Sequence, residues 1–328
     1  MLSLLLSSAM LAATASAACD RAYLNAASQA YVDAQRFGNP RGLTDYIISN
    51  VSYFENNMPT FLSNGVLRGS LHIDHSRSIH DTAQCATMTE LIAASNPHPY
   101  VIHTRMIFGD NSTAQPRISL IESIVTDAGD WAFNATGYNY WNSIEDWTPP
   151  LPENANTHAI VKAAGDAYFD RFNNVNISVP FGTPCDRLEG GAYTGAGNLT
   201  AETCTIGGLP SNIKVTNRRY VVDEVMGVVD IFLGFPGLDR SVPNQPMPDS
   251  HMFKVANGKI RYIHTVSACV NAGCGMNGTM IPQRQLNTTM GFKGTRVQQR
   301  PVNATVIPLR RRRQRFARSA TFSNGTGT

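Results

Sequence analysis

Two rhythms of apolar and polar positions run along this chain, a helical one followed by a strand-like one, and the pair occurs twice. Ala22, Ala26, Ala30 and Val32 carry a helix-favouring pattern that stops at Gly38-Asn39-Pro40. A second helix is predicted from Thr157 as N-cap, through Ala159-Ile160-Val161-Lys162 and Tyr168-Phe169, to Asn173-Asn174. After each helix the pattern turns β-rich. Strands are predicted over Cys85–Ala93, Tyr100–Phe108 and Arg117–Thr126 in the first half. In the second half Val221-Val222 and Val225–Phe235 read as one bent strand, and His251–Val255 and Lys259–Ser267 as a hairpin about Asn257-Gly258. Three stretches show neither rhythm: a polar and aromatic one over Leu43–Gly69, a joining one over Asn134–Pro152, and a Pro- and Gly-rich loop over Pro180–Gly197.

The repetition extends to residues. Ala26–Asp33 and Ala163–Asp170 share five of eight positions at a spacing of 137. Ile118–Val125 aligns with Ile260–Ser267 at a spacing of 142, and His80-Asp81 with Val222-Asp223 at the same spacing. Three matches in one order indicate a duplicated unit, and a unit of this length is a domain rather than a solenoid repeat. The candidate chemistry is then sought where the copies differ. The recurrence of Asp81 and Asp223 points to a structural turn residue.

Leu2–Leu11 is an apolar run too short to span a bilayer, and Ala15-Ser16-Ala17 resembles a cleavage site, so residues 1–17 read as a secretory signal peptide. Six cysteines and nine Asn-x-Ser/Thr sequons, at Asn50, Asn111, Asn134, Asn176, Asn198, Asn277, Asn287, Asn303 and Asn324, fit a secreted, extracellular glycoprotein. The expected disulfides are Cys19–Cys85, Cys185–Cys204 and Cys269–Cys274, each contributing a few kcal/mol.

The net charge of +3 conceals a division. Residues 276–328 hold ten of the 27 Lys and Arg and none of the 24 Asp and Glu, which leaves 17 against 24, or −7, for the remainder. This segment, with Arg310–Arg313 in a row, reads as a disordered basic tail and not as a nucleic-acid site. No further stretch suggests a membrane span, so neither nucleic acid nor membrane is an expected partner.

Several strings resemble a family of fungal secreted proteins of largely uncharacterised function. They are Gly129-Asp-Trp-Ala-Phe-Asn134, Val179-Pro-Phe-Gly-Thr-Pro-Cys185-Asp-Arg187-Leu-Glu189-Gly-Gly-Ala-Tyr193, Asn217-Arg-Arg-Tyr-Val-Val-Asp223-Glu224 and Asp249-Ser-His251-Met-Phe253. The order of elements also resembles the nuclear transport factor 2-like fold, shared by scytalone dehydratase and the SnoaL-like cyclases. That resemblance implies an α+β architecture of two tandem cone-shaped domains, each an N-terminal helix packed on a curved antiparallel sheet. The expected boundaries are 18–150 and 151–275, the two domains forming a pseudo-dimer within one chain. A mostly apolar pocket is implied in the cone, but the fold hosts many activities and does not choose among them.

The second copy carries more polar candidates. His264 stands opposite Glu122 of the first copy, and His251 opposite His103 once a longer loop is allowed. His251 and His264 are the candidate general acid and base, Asp223 the orienting carboxylate and Arg219 an oxyanion stabiliser. Tyr220, Tyr193, Glu189 and Arg187 are candidate substrate-binding residues. The plainer reading gives Arg218-Arg219 with Asp223-Glu224 to a cross-strand ion-pair network, and Arg187 with Glu189 to a salt bridge that steadies a loop. No hydrolase elbow, P-loop or dinucleotide fingerprint occurs, and the histidines lack metal-ligand spacing. The expected function is therefore a cofactor-independent and metal-free lyase, isomerase or cyclase acting on a small oxygenated aromatic or polyketide-like molecule. The alternative is a non-catalytic secreted binding protein or effector using the same pocket.

Overall fold

The computed structural model describes residues 19–274, apart from 111–114, 206, 210, 240–241, 243–244 and 272. The expected signal peptide, the basic tail and the sequons at Asn111, Asn277, Asn287, Asn303 and Asn324 lie outside the described residues.

The first half comprises α1 (Arg21–Phe37), β1 (Ile47–Glu55), β2 (Met58–Thr60), β3 (His75–Asp81), β4 (Ala86–Ala93), β5 (Tyr100–Asp110) and β6 (Arg117–Thr126). A joining helix, α2 (Ala135–Ile144), follows. The second half repeats the order with α3 (His158–Asn173), β7 (Phe181–Glu189), β8 (Ala192–Tyr193), β9 (Thr216–Asp223), β10 (Val228–Phe235), β11 (Met247–Ala256) and β12 (Lys259–Ser267). The sheets are ordered β2-β1-β6-β5-β4-β3 and β8-β7-β12-β11-β10-β9, the same topology twice.

Each sheet is mixed, which corrects the expected antiparallel one: β1 runs parallel to β6, and β7 to β12. Those first strands were missed because β1 lies in the polar stretch and β7 in the Pro-rich loop, where neither shows a clean alternation. The supposed bent strand is a hairpin. Val225 lies in the turn between β9 and β10, which closes at Gly227 with φ of +60°. The joining stretch also hides α2, whose N-cap Asn134 accepts a hydrogen bond from the Gly137 N–H.

The helix boundaries have local causes. The Asp20 side chain caps α1 by accepting from Tyr23 N–H, and Gly38 ends it in the left-handed region. Thr157 caps α3, accepting from Ile160 N–H. Each helix buries one stripe, Leu24, Ala27 and Tyr31 in α1 and Val161, Ala164 and Tyr168 in α3. The stripes pack on the outer faces of their own sheets. The inner faces meet each other through Ile79, Met88 and Ile124 on one side and Phe232, Met252 and Val266 on the other. Strands β4 and β10, each second from the edge of its sheet, are covered on both sides and are buried at every position. The three expected disulfides are all present.

Candidate functional site

Alternation along β11 divides its side chains between two environments. Asp249, His251 and Phe253 face α3, while Ser250, Met252 and Lys254 face the first half. Across the sheet His251 is paired with Thr265 and Asp249 with Ser267 on β12, and Thr265 is paired with Glu189 on β7. These residues share one face, and with Arg187 and Tyr168 they line a cavity of about 260 Å³. Trp131, Phe172, Leu209, Phe235 and Leu238 supply its apolar wall.

Within the cavity His251 Nδ1 lies 2.6 Å from Asp249 Oδ1. A carboxylate accepts, so Nδ1 carries a proton, and in the neutral ring Nε2 keeps its lone pair. Asp249 is itself steadied by the Ser267 hydroxyl. The Arg187 guanidinium donates to Glu189 at 2.8 Å and to the Tyr168 hydroxyl at 3.4 Å. Burial works against the Arg187 charge, but Glu189 and Tyr168 outweigh it and hold its pKa above the ordinary value. Burial pushes the Tyr168 phenol up to about 12, so it remains a neutral hydroxyl. The Thr265 hydroxyl is buried beside His251 with no hydrogen-bond partner.

The matching positions of the first half show how far the two have diverged. The ladder registers, read at the 142-residue spacing, place Thr104 at the position of His251, Ile102 at Asp249, Tyr53 at Arg187, Glu55 at Glu189 and Ser123 at Thr265. Tyr31, at a spacing of 137, matches Tyr168. Tyr31 Oη lies 2.6 Å from Thr104 Oγ1, which lies 2.8 Å from Ser123 Oγ, and Tyr53 donates to Glu55. Hydroxyls satisfy one another there, where the second half has a His–Asp pair and an Arg–Glu pair. The same registers correct the expected match of His103 with His251. His103 corresponds to Ser250, and the two residues hydrogen-bond across the join at 2.9 Å.

Three of the eight residues singled out from the sequence, His251, Arg187 and Glu189, line the cavity. The other five lie elsewhere. His264 is on the opposite sheet face, fully buried, with Glu90 at 2.7 Å on Nδ1 and Glu145 at 2.6 Å on Nε2. Burial opposes its charge, yet the two carboxylates raise its pKa to about 9. Asp223 orients neither histidine: its oxygens take both terminal nitrogens of Arg21 at 2.7 Å and the N–H groups of His80 and Met226. Arg219 is paired with Glu122 of the first sheet at 3.0 Å. Tyr220 donates to Asp166 at 2.7 Å, beneath the Lys162 ammonium. Tyr193 stacks on Trp141 with ring centroids 4.5 Å apart, on the face that meets the first half.

Asp249 was missed although its position two residues before His251 on a strand puts both on one face. Thr265 and Ser267 give no sequence signal beyond that alternation, and Trp131 reaches the cavity only through the path of the joining segment. Among the described residues, Cys185, Glu202 and Cys204 form a group close enough to bind a metal. Both sulfurs belong to one disulfide, which removes the thiolates a metal would need.

A family model described as a domain of unknown function, DUF8021, matches residues 154–267. That match spans the helix and strands that build the cavity. No curated protein matches. Among solved structures, an NTF2-like protein of unknown function from Shewanella baltica OS155 is similar over 31% of this chain and 90% of that one, at 8% identity and a TM-score of 0.23. At those values the likeness adds nothing to an assignment of function.

Proposed function

We propose that this protein is a secreted, cofactor-independent acid–base catalyst whose site is the cavity of the second half. Lyase, isomerase or cyclase chemistry on a small oxygenated aromatic or polyketide-like molecule fits the lining. The observation that carries the reading is the His251–Asp249 pair, with an imidazole nitrogen available beside an apolar cavity. His251 takes a proton through Nε2 from a C–H or O–H of the substrate, while Asp249 stabilises the imidazolium. The same nitrogen returns the proton to the leaving or rearranged group. The Thr265 hydroxyl is placed to donate to an oxygen on which charge develops, and the Arg187–Glu189 pair with Tyr168 supplies a polar wall that binds substrate. In this reading the chain is two tandem cone-like domains, 18–150 and 151–275, joined as an internal pseudo-dimer. His264, Asp223 and Arg219 belong to that join.

The test is a screen of cyclic ketones and hydroxylated aromatics in D2O, with C–H exchange and turnover followed by NMR. Exchange that is lost in His251→Gln and kept in Tyr220→Phe supports the reading. Ligands that bind without exchange or turnover, equally in both variants, replace it with the non-catalytic binding protein.

A further inference from the structure

The charged side chains lining the cavity are already paired. Arg187 is held by Glu189 at 2.8 Å, and Asp249 by His251 at 2.6 Å and by Ser267. Two carboxylates against one guanidinium leave the lining at −1 with His251 neutral and at 0 with it protonated. An anionic ligand would therefore add an unpaired negative charge beside two carboxylates, in a site walled by Trp131, Phe172 and Phe235. Arg187 already meets Glu189 and Tyr168 and is only 4% exposed, so it offers such a ligand little free charge. A cationic ligand would meet carboxylates already engaged by Arg187, His251 and Ser267, and it would lose its hydration among aromatic rings.

Two polar atoms on neighbouring strands of the lining matter for a ligand: His251 Nε2, whose Nδ1 is bound to Asp249, and the Thr265 hydroxyl, which is buried without a hydrogen-bond partner. The first only accepts in this tautomer, and the second donates or accepts. Both residues stand on paired positions of neighbouring strands and line the cavity, so His251 Nε2 is the acceptor that a polar end of a ligand meets there, with the Thr265 side chain beside it. Size sets the remainder. A dry apolar cavity of about 150 Å³ accepts benzene, and in that ratio the cavity of about 260 Å³ holds roughly ten non-hydrogen atoms.

We infer that the cavity selects an uncharged ligand of this size, with an O–H or N–H donor at one end of an apolar body, and discriminates against carboxylates. This rests on the proposed use of the cavity and adds the charge and polarity of what enters it.

The experiment is isothermal titration of the intact protein at pH 7 with four size-matched probes: 4-propylphenol, 4-propyltoluene, 4-ethylbenzoate and 4-ethylbenzylammonium. The expected result is that the phenol binds at least tenfold more tightly than each of the other three. Benzoate or ammonium binding as tightly as the phenol overturns the charge argument while leaving the cavity in use. Equal binding of the phenol and the toluene overturns the donor requirement. If none of the four binds, the cavity is not a ligand site, and the proposed function falls with the inference.

Discussion

Asp81 and Asp223 hold each other's halves: Asp81 Oδ2 accepts the Val222 N–H, and Asp223 Oδ2 accepts the His80 N–H, both at 2.9 Å. The exchange is symmetric to the residue, since His80 and Val222 are themselves 142 positions apart. The helices join in at their own spacing of 137, Arg21 on Asp223 at 2.7 Å and His158 on Asp81 at 3.3 Å. The two contacts differ in charge, and that difference is measurable.

Asp223→Ala strands the Arg21 guanidinium together with two backbone N–H groups. It should cost about 3 kcal/mol, the low end for a broken buried pair, because Arg21 keeps about a third of its exposure. Asp81→Ala strands N–H groups and a histidine and should cost about 1–3 kcal/mol. Urea unfolding of both variants gives the ranking, and a larger loss in Asp81→Ala would contradict it.

His264 makes the join sensitive to alkali. Its pKa is about 9 in the folded state, because Glu145 and Glu90 outweigh burial, against about 6.5 unfolded. Between these values the folded protein holds the proton that the unfolded chain has lost, so stability falls as pH rises. The contribution is fully present below pH 6.5, and about 2 kcal/mol of it should disappear by pH 8. Lys254, depressed to about 8 chiefly by burial, acts in the opposite sense at higher pH. The comparison is therefore the difference between wild type and His264→Gln over pH 6.5–8. A difference that stays flat across that window would show that His264 is not held as an imidazolium.

Asp249→Asn should reverse the tautomer of His251, since an amide N–H donates to Nδ1 and moves the ring proton to Nε2. A 15N histidine spectrum should lose the Nδ1–H resonance of His251 and leave that of His264 in place. Any turnover found for the cavity should fall by about 10² or more, because the base is then already protonated where the substrate must bind. An unchanged spectrum would mean that Asp249 does not set the ring.

Gly190 is a backbone constraint on the cavity wall. Its φ is +59°, and a Cβ there would lie 2.3 Å from the Trp131 carbonyl oxygen, so main chain would have to move. Gly190→Ala should cost about 1–3 kcal/mol in left-handed strain alone and shift Trp131 in the cavity. Near-ultraviolet circular dichroism and urea unfolding read the two effects, and native values in both would refute the constraint.

Much of the arrangement was legible in the chain. The repeat spacing, both long helices and the hairpin of β11 and β12 follow from short-range periodicity and capping, which act within a few residues. The parallel strands β1 and β7 were hidden because their partners lie far along the chain. Their residues, such as Asn50 and Pro184, serve the edge of a sheet rather than an alternating core. At the site, His251, Arg187 and Glu189 stood out as polar residues in stretches built for burial. His264 and Arg219 stood out for the same reason and belong to the opposite face. Sequence shows that a charge is buried, whereas only the fold shows which layer buries it. Glu90, which meets His264 at 2.7 Å from 174 positions away, could not have been assigned from local pattern.

The hydroxyl chain of Tyr31, Thr104 and Ser123 bears on how the protein would respond to ligand concentration. Two equal subunits would each present a site and could influence one another through their shared face. Here the His–Asp and Arg–Glu pairs of the cavity fall on one half, while the equivalent positions of the other are spent on internal bonds. If the cavity takes a ligand, occupancy should then follow a simple hyperbola with a stoichiometry of one ligand per chain.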